Sequence, residues 1–366
     1  MQTMTLLTPV LTPTSILTKN ATSTTINPDF KTKGSIDKTY YFIIDGTPGY
    51  IPFNVYTGVN DYIDSFGDIY TQDDFNKVID NGVQREYISP LVKKIQLAAK
   101  NPDDDARIAI SVVQHIKYDA NAINEIRFNN SKSGQLYIGR YPYTILYQNW
   151  GGICGEKSFL LALLLKELGY GVALLEFDDA HHMAVGIKAP SQYSYKNTGY
   201  ALVESTVPEI PTFDEYSFVG LNTPMSSISP TKIIQVSDGR AFDSINKEVS
   251  DAQIERTIFS AAEKVNTAAA NVNAAEEHLE NLKATVMYWK TKVENDLANR
   301  DMSTYQNDLQ MYNTAYAMYE NYYNGTYYPN YVKWRDLKEN FQEIYLPKQR
   351  SLEEKYGMTS GINVGL

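Results

Sequence analysis

The apolar positions of the chain fall into three regimes. From Tyr40 to about residue 77 they come in short runs such as Tyr40-Tyr41-Phe42-Ile43-Ile44, broken by turn residues such as Asp45-Gly46-Thr47-Pro48-Gly49. That pattern predicts strands or a loop-rich cap. Near Ser89 the spacing becomes helical. Asn101-Pro102-Asp103-Asp104-Asp105 predicts a helix start, with Asn101 as cap, Pro102 in the first turn and acids beside the positive helix end. Ile108, Val112 and Ile116 supply its apolar face. Cys154 then opens a helix that carries Phe159, Leu160, Leu163, Leu164 and Leu168 inward, with Gly169 placed to cap its end. Strand-like segments follow at 172–177, 183–188 and 200–206. A helix followed by antiparallel strands is an α+β order.

After a Ser/Pro-containing stretch from Phe213 to about Asp243 the period changes again. Ile258, Ala261, Val265, Ala268, Val272, Ala275, Leu279, Leu282, Val286, Trp289 and Val293 alternate spacings of three and four, which is five heptads without a slip. The phase breaks around 297–301 and resumes as Met302, Tyr305, Leu309, Tyr312, Tyr316, Tyr319 and Tyr323, with Asn324-Gly325-Thr326 expected to end that segment. A third pattern, Tyr331, Trp334, Leu337, Phe341 and Ile344, is expected to run to Pro347. Three helices forming a long antiparallel hairpin or bundle are predicted, the alternative being one rod with a stutter near Asn299. The expected organisation is a Thr-rich extended tail over 1–35 and a strand- and loop-rich part over 36–77. A catalytic domain with trailing loops over 78–245 and a helical coiled-coil domain over 246–366 complete it.

Composition narrows the function. The 366 residues allow two to three domains. Forty-three acidic against 33 basic residues give a net charge of −10, which argues against non-specific nucleic-acid binding. The longest apolar run, residues 159–165, is far short of a membrane span. One cysteine and four histidines leave no material for a disulfide framework and little for a metal site, so no metal and no cofactor is expected. The 29 tyrosines, with frequent Asn and Thr, favour an extracellular or virion-associated location over a cytoplasmic one. Prolines and threonines interrupt every apolar stretch of the first 25 residues, which does not fit a secretory leader.

The segment that carries chemistry is Gly151-Gly152-Ile153-Cys154-Gly155-Glu156-Lys157-Ser158. A cysteine in the first turn of a helix sits where the dipole stabilises a thiolate, and its amide can donate to an oxyanion. Such a nucleophile needs a base and an orienting acid. His182 lies 28 residues on at a strand start, and Glu204 another 22 on in a neighbouring strand. His181 competes with His182, but alternation puts Met183, Val185 and Ile187 on the apolar face and His182 on the other. Tyr118, Gln148 and Asn149 are the candidates for a second oxyanion donor. The bland alternative is that Cys154 is a small core residue.

Five ordered blocks carry a resemblance. They are 141–147 (Tyr-Pro-Tyr-Thr-Ile-Leu-Tyr), 152–158, 168–172, 182–188 and 199–206. Together they resemble the transglutaminase-like cysteine-enzyme superfamily, in its archaeal-type form, over about residues 78–215. The resemblance implies a papain-like α+β fold with Cys154 as nucleophile, His182 as general base and Glu204 as orienter. Many members of that superfamily carry Asp at the third position, and Glu is longer by one methylene. The function implied is a thiol-dependent amide hydrolase or acyl transferase acting on peptide or isopeptide bonds through an acyl-thioester, with hydrolysis, as in a cysteine protease, favoured. A peptide or protein substrate is the expected partner. The competing expectation is a structural or assembly protein, a fibre, tail or surface component, that uses the fold as a platform and the coiled coil to self-associate.

Overall fold

The computed structural model describes residues 14–15, 30–69, 73–119, 121–122, 139–214, 224–359, 362 and 364. The chain is mixed α+β with a long helical region toward its C-terminus. It divides into two compact units: Met1–Glu255 with Leu352–Thr359, and Arg256–Ser351 with Ser360–Leu366.

In the first unit, β1 (Thr14–Ser15) pairs parallel with a later strand. Most of the tail expected over 1–35 lies outside the described residues, although Phe30 is buried against Tyr62, with ring centroids 5.2 Å apart. β2 (Ser35–Ile44) and β3 (Thr47–Tyr56) form an antiparallel hairpin. Its two-residue loop, Asp45-Gly46, has positive φ at both positions (49° and 74°), the conformation that matches the twist of paired strands. The rest of the span expected as strands and loops contains two helices, α1 (Thr57–Asp64) and α2 (Asp73–Ile79). Each buries two or three apolar side chains, Val59 and Ile63 or Phe75, Val78 and Ile79, too few for periodicity to declare a helix. α3 (Gly82–Ala98) and α4 (Asp104–His115) follow. The cap expected from Asn101 is replaced: Asp103 takes the cap position with a left-handed φ of 63°, and the Asp104 carboxylate accepts the Asn101 amide at 2.8 Å.

α5 (Pro142–Tyr147) leads into α6 (Cys154–Glu167). From Phe159 to Leu165 every residue of α6 is fully buried, so this helix is the centre of the unit and carries no polar stripe there. β4 (Val172–Phe177), β5 (His182–Lys188) and β6 (Tyr200–Val203) run antiparallel beside it. β6 ends three residues before the expected limit, because Glu204-Ser205-Thr206 turn to serve the Glu204 carboxylate. A strand absent from the sequence reading, β7 (Lys232–Ser237), completes the sheet in the order β1-β7-β4-β5-β6. Met183, Val185 and Ile187 pack toward α6, whereas Ala173, Leu175, Phe177 and Ala184 pack under Tyr195, Tyr200 and Met225. Burial on both faces explains why β4 and β5 read as unbroken apolar runs.

α7 (Asn246–Asn299) is one helix of 54 residues. In the second unit its buried positions are Ile258, Ala262, Val265, Ala268, Val272, Ala275 and Leu279, with Ala262 in place of the expected Ala261. Arg300, with φ 57°, and Asp301 turn the chain into α8 (Met302–Tyr322). The His278 and Tyr322 rings meet at 4.4 Å, each 22 residues from Arg300, so the two helices are antiparallel and the rod alternative is excluded. The inward line of α8 also differs from expectation. Asp308 and Ala315 are buried, whereas Met302 and Tyr316 are exposed.

Asn324-Gly325-Thr326 does not end the second segment. A π-turn at Tyr323–Tyr327 carries it into α9 (Tyr328–Asn340), and a second at Phe341–Tyr345 carries it into α10 (Leu346–Tyr356). Pro329 and Pro347 each follow a π-turn by two residues. A proline ring in a helix collides with the carbonyl four residues back. Here those carbonyls belong to Gly325 and Glu343, both inside the widened turns. The π-turns thus absorb the two prolines that the sequence offers as stops.

Candidate active site

The loop before α6 is built around two constraints. Gly151 has φ +92°, and a Cβ there would lie 2.0 Å from the Lys117 carbonyl oxygen, so only glycine fits. The Gly152 amide donates to that same carbonyl at 3.0 Å, and the Asp119 amide donates to the Gly152 carbonyl at 3.2 Å. Glu156, in the first turn of α6, reaches back to accept the Ile153 amide at 2.9 Å, which is half of a capping box. Its carboxylate is buried and forks onto Arg140 Nε and Nη2 at 2.6 and 2.8 Å. Arg140 also donates to the Gly151 carbonyl and to Gln148 Oε1. These bonds fix the N-terminus of α6, where first-turn amides have no intrahelical acceptor and the dipole favours negative charge. Cys154, half-buried, is the first residue of that turn.

His182 is the first residue of β5 and is buried, 4% exposed. Its Nε2 lies 3.0 Å from Glu204 Oε2, and the Cys154 side chain is close enough to the ring to raise its proton affinity. The strand register pairs Val185 with Val203, which makes His182 the diagonal neighbour of Glu204 on one sheet face. The longer reach of Glu over Asp suits that diagonal. The Phe177 ring stacks beside His182 at 6.2 Å and 22°. His181, by contrast, is exposed, with a left-handed φ of 47°, and belongs to the turn. His115 packs edge-on to Tyr41 at 4.9 Å.

The electrostatics follow from these contacts. Glu204 Oε1 accepts the Ser205 and Thr206 amides at 2.8 and 2.7 Å and the Thr206 hydroxyl at 2.7 Å. Burial alone would raise the Glu204 carboxyl, but the His182 charge and these donors bring it down to about 2. Burial alone would lower the His182 imidazolium. Glu204 and Cys154 outweigh it and push the group up to about 9. The Glu204–His182 pair is therefore held ionised across the neutral range.

The structure thus brings Cys154, His182 and Glu204 together. Of the side chains suggested as second oxyanion donors, Gln148 accepts from Arg140 at Oε1, Asn149 accepts from Lys38 at Oδ1, and Tyr118 forms a backbone bridge with Gly152. Several residues here carry no sequence signal of their own. Lys157 is fully buried, and its Nζ donates to the carbonyls of Gln114, Ile116 and Thr206 at 3.2, 2.6 and 2.7 Å. Gln114 donates to the carbonyls of Glu204 and Glu209 at 2.8 and 3.0 Å. Ser158 Oγ bonds the Met183 carbonyl and the Ser205 hydroxyl, both at 3.0 Å. Among the described residues no group of three or more His, Cys, Asp and Glu side chains could hold a metal ion, and no helix is long and apolar enough to cross a membrane. No protein-family model, curated protein or solved structure matches the chain.

Proposed function

We propose that the chain is a thiol-dependent acyl-transfer enzyme of papain-like, transglutaminase-like type, acting on peptide or isopeptide amides. The observation that carries this reading is the buried His182 ring, bonded to Glu204 at 3.0 Å and neighboured by Cys154 at a helix N-terminus. In the reaction the Cys154 sulfur attacks the amide carbonyl carbon, and the carbonyl electron pair moves to oxygen. The Cys154 amide and the dipole of α6 stabilise that oxyanion. Collapse breaks the C–N bond while the His182 imidazolium gives its proton to the leaving amine. An acyl-thioester remains. Water then attacks it with His182 as base, releasing a carboxylic acid and restoring the thiol. Glu204 holds the imidazole in place and balances its charge throughout. An amine in place of water would give transfer, and hydrolysis is the favoured outcome.

The test is turnover of peptide amide substrates by the wild type and by Cys154→Ala. Release of the amine by the wild type alone supports the reading. Equal release by both sinks it.

A second reading, an assembly protein using the fold as a platform, has one observation in its favour. The second unit carries a ladder of tyrosine rings: Tyr319 stacks on Tyr323 at 6.3 Å, Tyr323 meets Tyr327 tilted at 5.6 Å and Tyr327 stacks on Tyr331 at 6.3 Å. Aromatic surface of this kind is enriched at protein interfaces. A Cys154 no more reactive than a free cysteine would favour it.

A further inference from the structure

Lys157 is a charged side chain with no exposed surface, three residues after the nucleophile and outside the proposed proton relay. Burying an ammonium costs several kcal/mol unless its protons are all bonded. Here they are. Nζ sits among three main-chain carbonyls that belong to two separate parts of the chain, Gln114 and Ile116 at the end of α4 and Thr206 after β6. Side chains rarely act as such a tie where an apolar residue would pack as well. The position of the third carbonyl gives the reason. Thr206 supplies, through its amide and hydroxyl, two of the three donors that hold Glu204 Oε1, and Ser205 supplies the third. The carbonyl of Thr206 faces Lys157 while its amide faces Glu204. Fixing one end of the residue fixes the other.

We propose that Lys157 is a positioning residue for Glu204: by anchoring the Thr206 carbonyl to α4 it holds the 204–206 turn in the one conformation that keeps the carboxylate on His182. This rests on the reading of Cys154, His182 and Glu204 as a working triad. Lys157 and the nucleophile share the first turns of α6, so the helix that presents the thiol also sets the reach of the acid. Gln114 acts in parallel by bonding the Glu204 carbonyl. The charged groups that face Lys157 are few. Burial works against its ammonium form and Glu204 favours it, while His115 is lowered chiefly by its own burial and in smaller part by Lys157.

The experiment is the NMR titration of the four histidine rings in the full-length chain, wild type against Lys157→Met, an apolar replacement of similar length. The wild-type His182 ring is expected to lose its proton near pH 9. Loss of the tie loosens the 204–206 turn, weakens the carboxylate's hold and moves that midpoint toward the ordinary value near 6.5 by about one unit, a tenfold weaker hold on the proton. A lysine that served packing alone would lower thermal stability and leave the His182 midpoint unmoved, and that result in a folded variant overturns the proposal. If Lys157→Met does not fold by circular dichroism, Lys157→Gln carries the test, since its amide keeps part of the bonding and a smaller shift in the same direction is expected. Failure of both to fold assigns Lys157 to stability alone and also overturns the proposal. A wild-type His182 that titrates near 6.5 would instead remove the ionised pair on which the proposed function stands.

Discussion

At the scale of single residues, the proposed chemistry turns on one buried imidazole, bonded to the Glu204 carboxylate with Cys154 as neighbour. His182→Ala is expected to lower amide turnover roughly a hundredfold or more, whereas His181→Ala changes it little, because His181 is an exposed turn residue. Steady-state rates on one peptide amide check this, and equal small losses would contradict it. The pair also sets a pH window for stability. Glu204 sits at about 2 in the folded chain against 4.5 for an ordinary glutamate, so its contribution is present above about 4.5 and is lost as the pH falls toward 2. His182 sits at about 9 against 6.5, so its contribution is full below about 6.5 and is lost as the pH rises toward 9. Both describe the same ion pair and count once. Thermal unfolding across pH is expected to show the wild type's advantage over Glu204→Gln greatest between about pH 4.5 and 6.5. An advantage that grows above pH 9 would contradict the pairing.

At the scale of elements, Cys154 follows a loop that only glycine can close. Gly151→Ala puts a Cβ against the Lys117 carbonyl at a left-handed φ, which is expected to cost about 2 kcal/mol or more in urea unfolding. Loss below about 0.5 kcal/mol would mean that the loop relaxes at no cost. The legible and illegible parts of the sequence divide along the same physical line. The helix of Cys154, the strands at 172–177 and His182 could be read because local period and turn residues dictate them. Cys154 and His182 could be proposed because they sit at a helix start and a strand start, and Glu204 from its spacing and the resemblance. Lys157, Gln114 and Arg140 could not, since their partners are main-chain carbonyls or side chains many positions away, and no local pattern records such bonds. β7 was hidden for a related reason: six residues flanked by Ser and Pro gain strand character only by pairing with β4. The helix stops expected at Asn324-Gly325-Thr326 and Pro347 failed because a π-turn can take up a proline that an α-turn cannot.

At the scale of the molecule, each compact unit has its own buried set: α6 and both sheet faces in one, the heptad line of α7 in the other. Units with separate cores unfold separately unless a large interface couples them. Calorimetry is expected to show two transitions. Leu161→Ala, a cavity in the first core, should lower one of them, and Val272→Asp, a charge in the second, should lower the other. A single transition shifted by both variants would contradict this division. The claim on which every functional statement depends is that Cys154 is an activated nucleophile. Intact-mass measurement of labelling by an electrophilic peptide amide, at about pH 6 where a free cysteine reacts slowly, tests it most directly. The account predicts one adduct per wild-type chain, at Cys154, with labelling slowed at least tenfold in His182→Ala. Equal labelling of the two proteins, at the rate of an unstructured cysteine peptide, would contradict it.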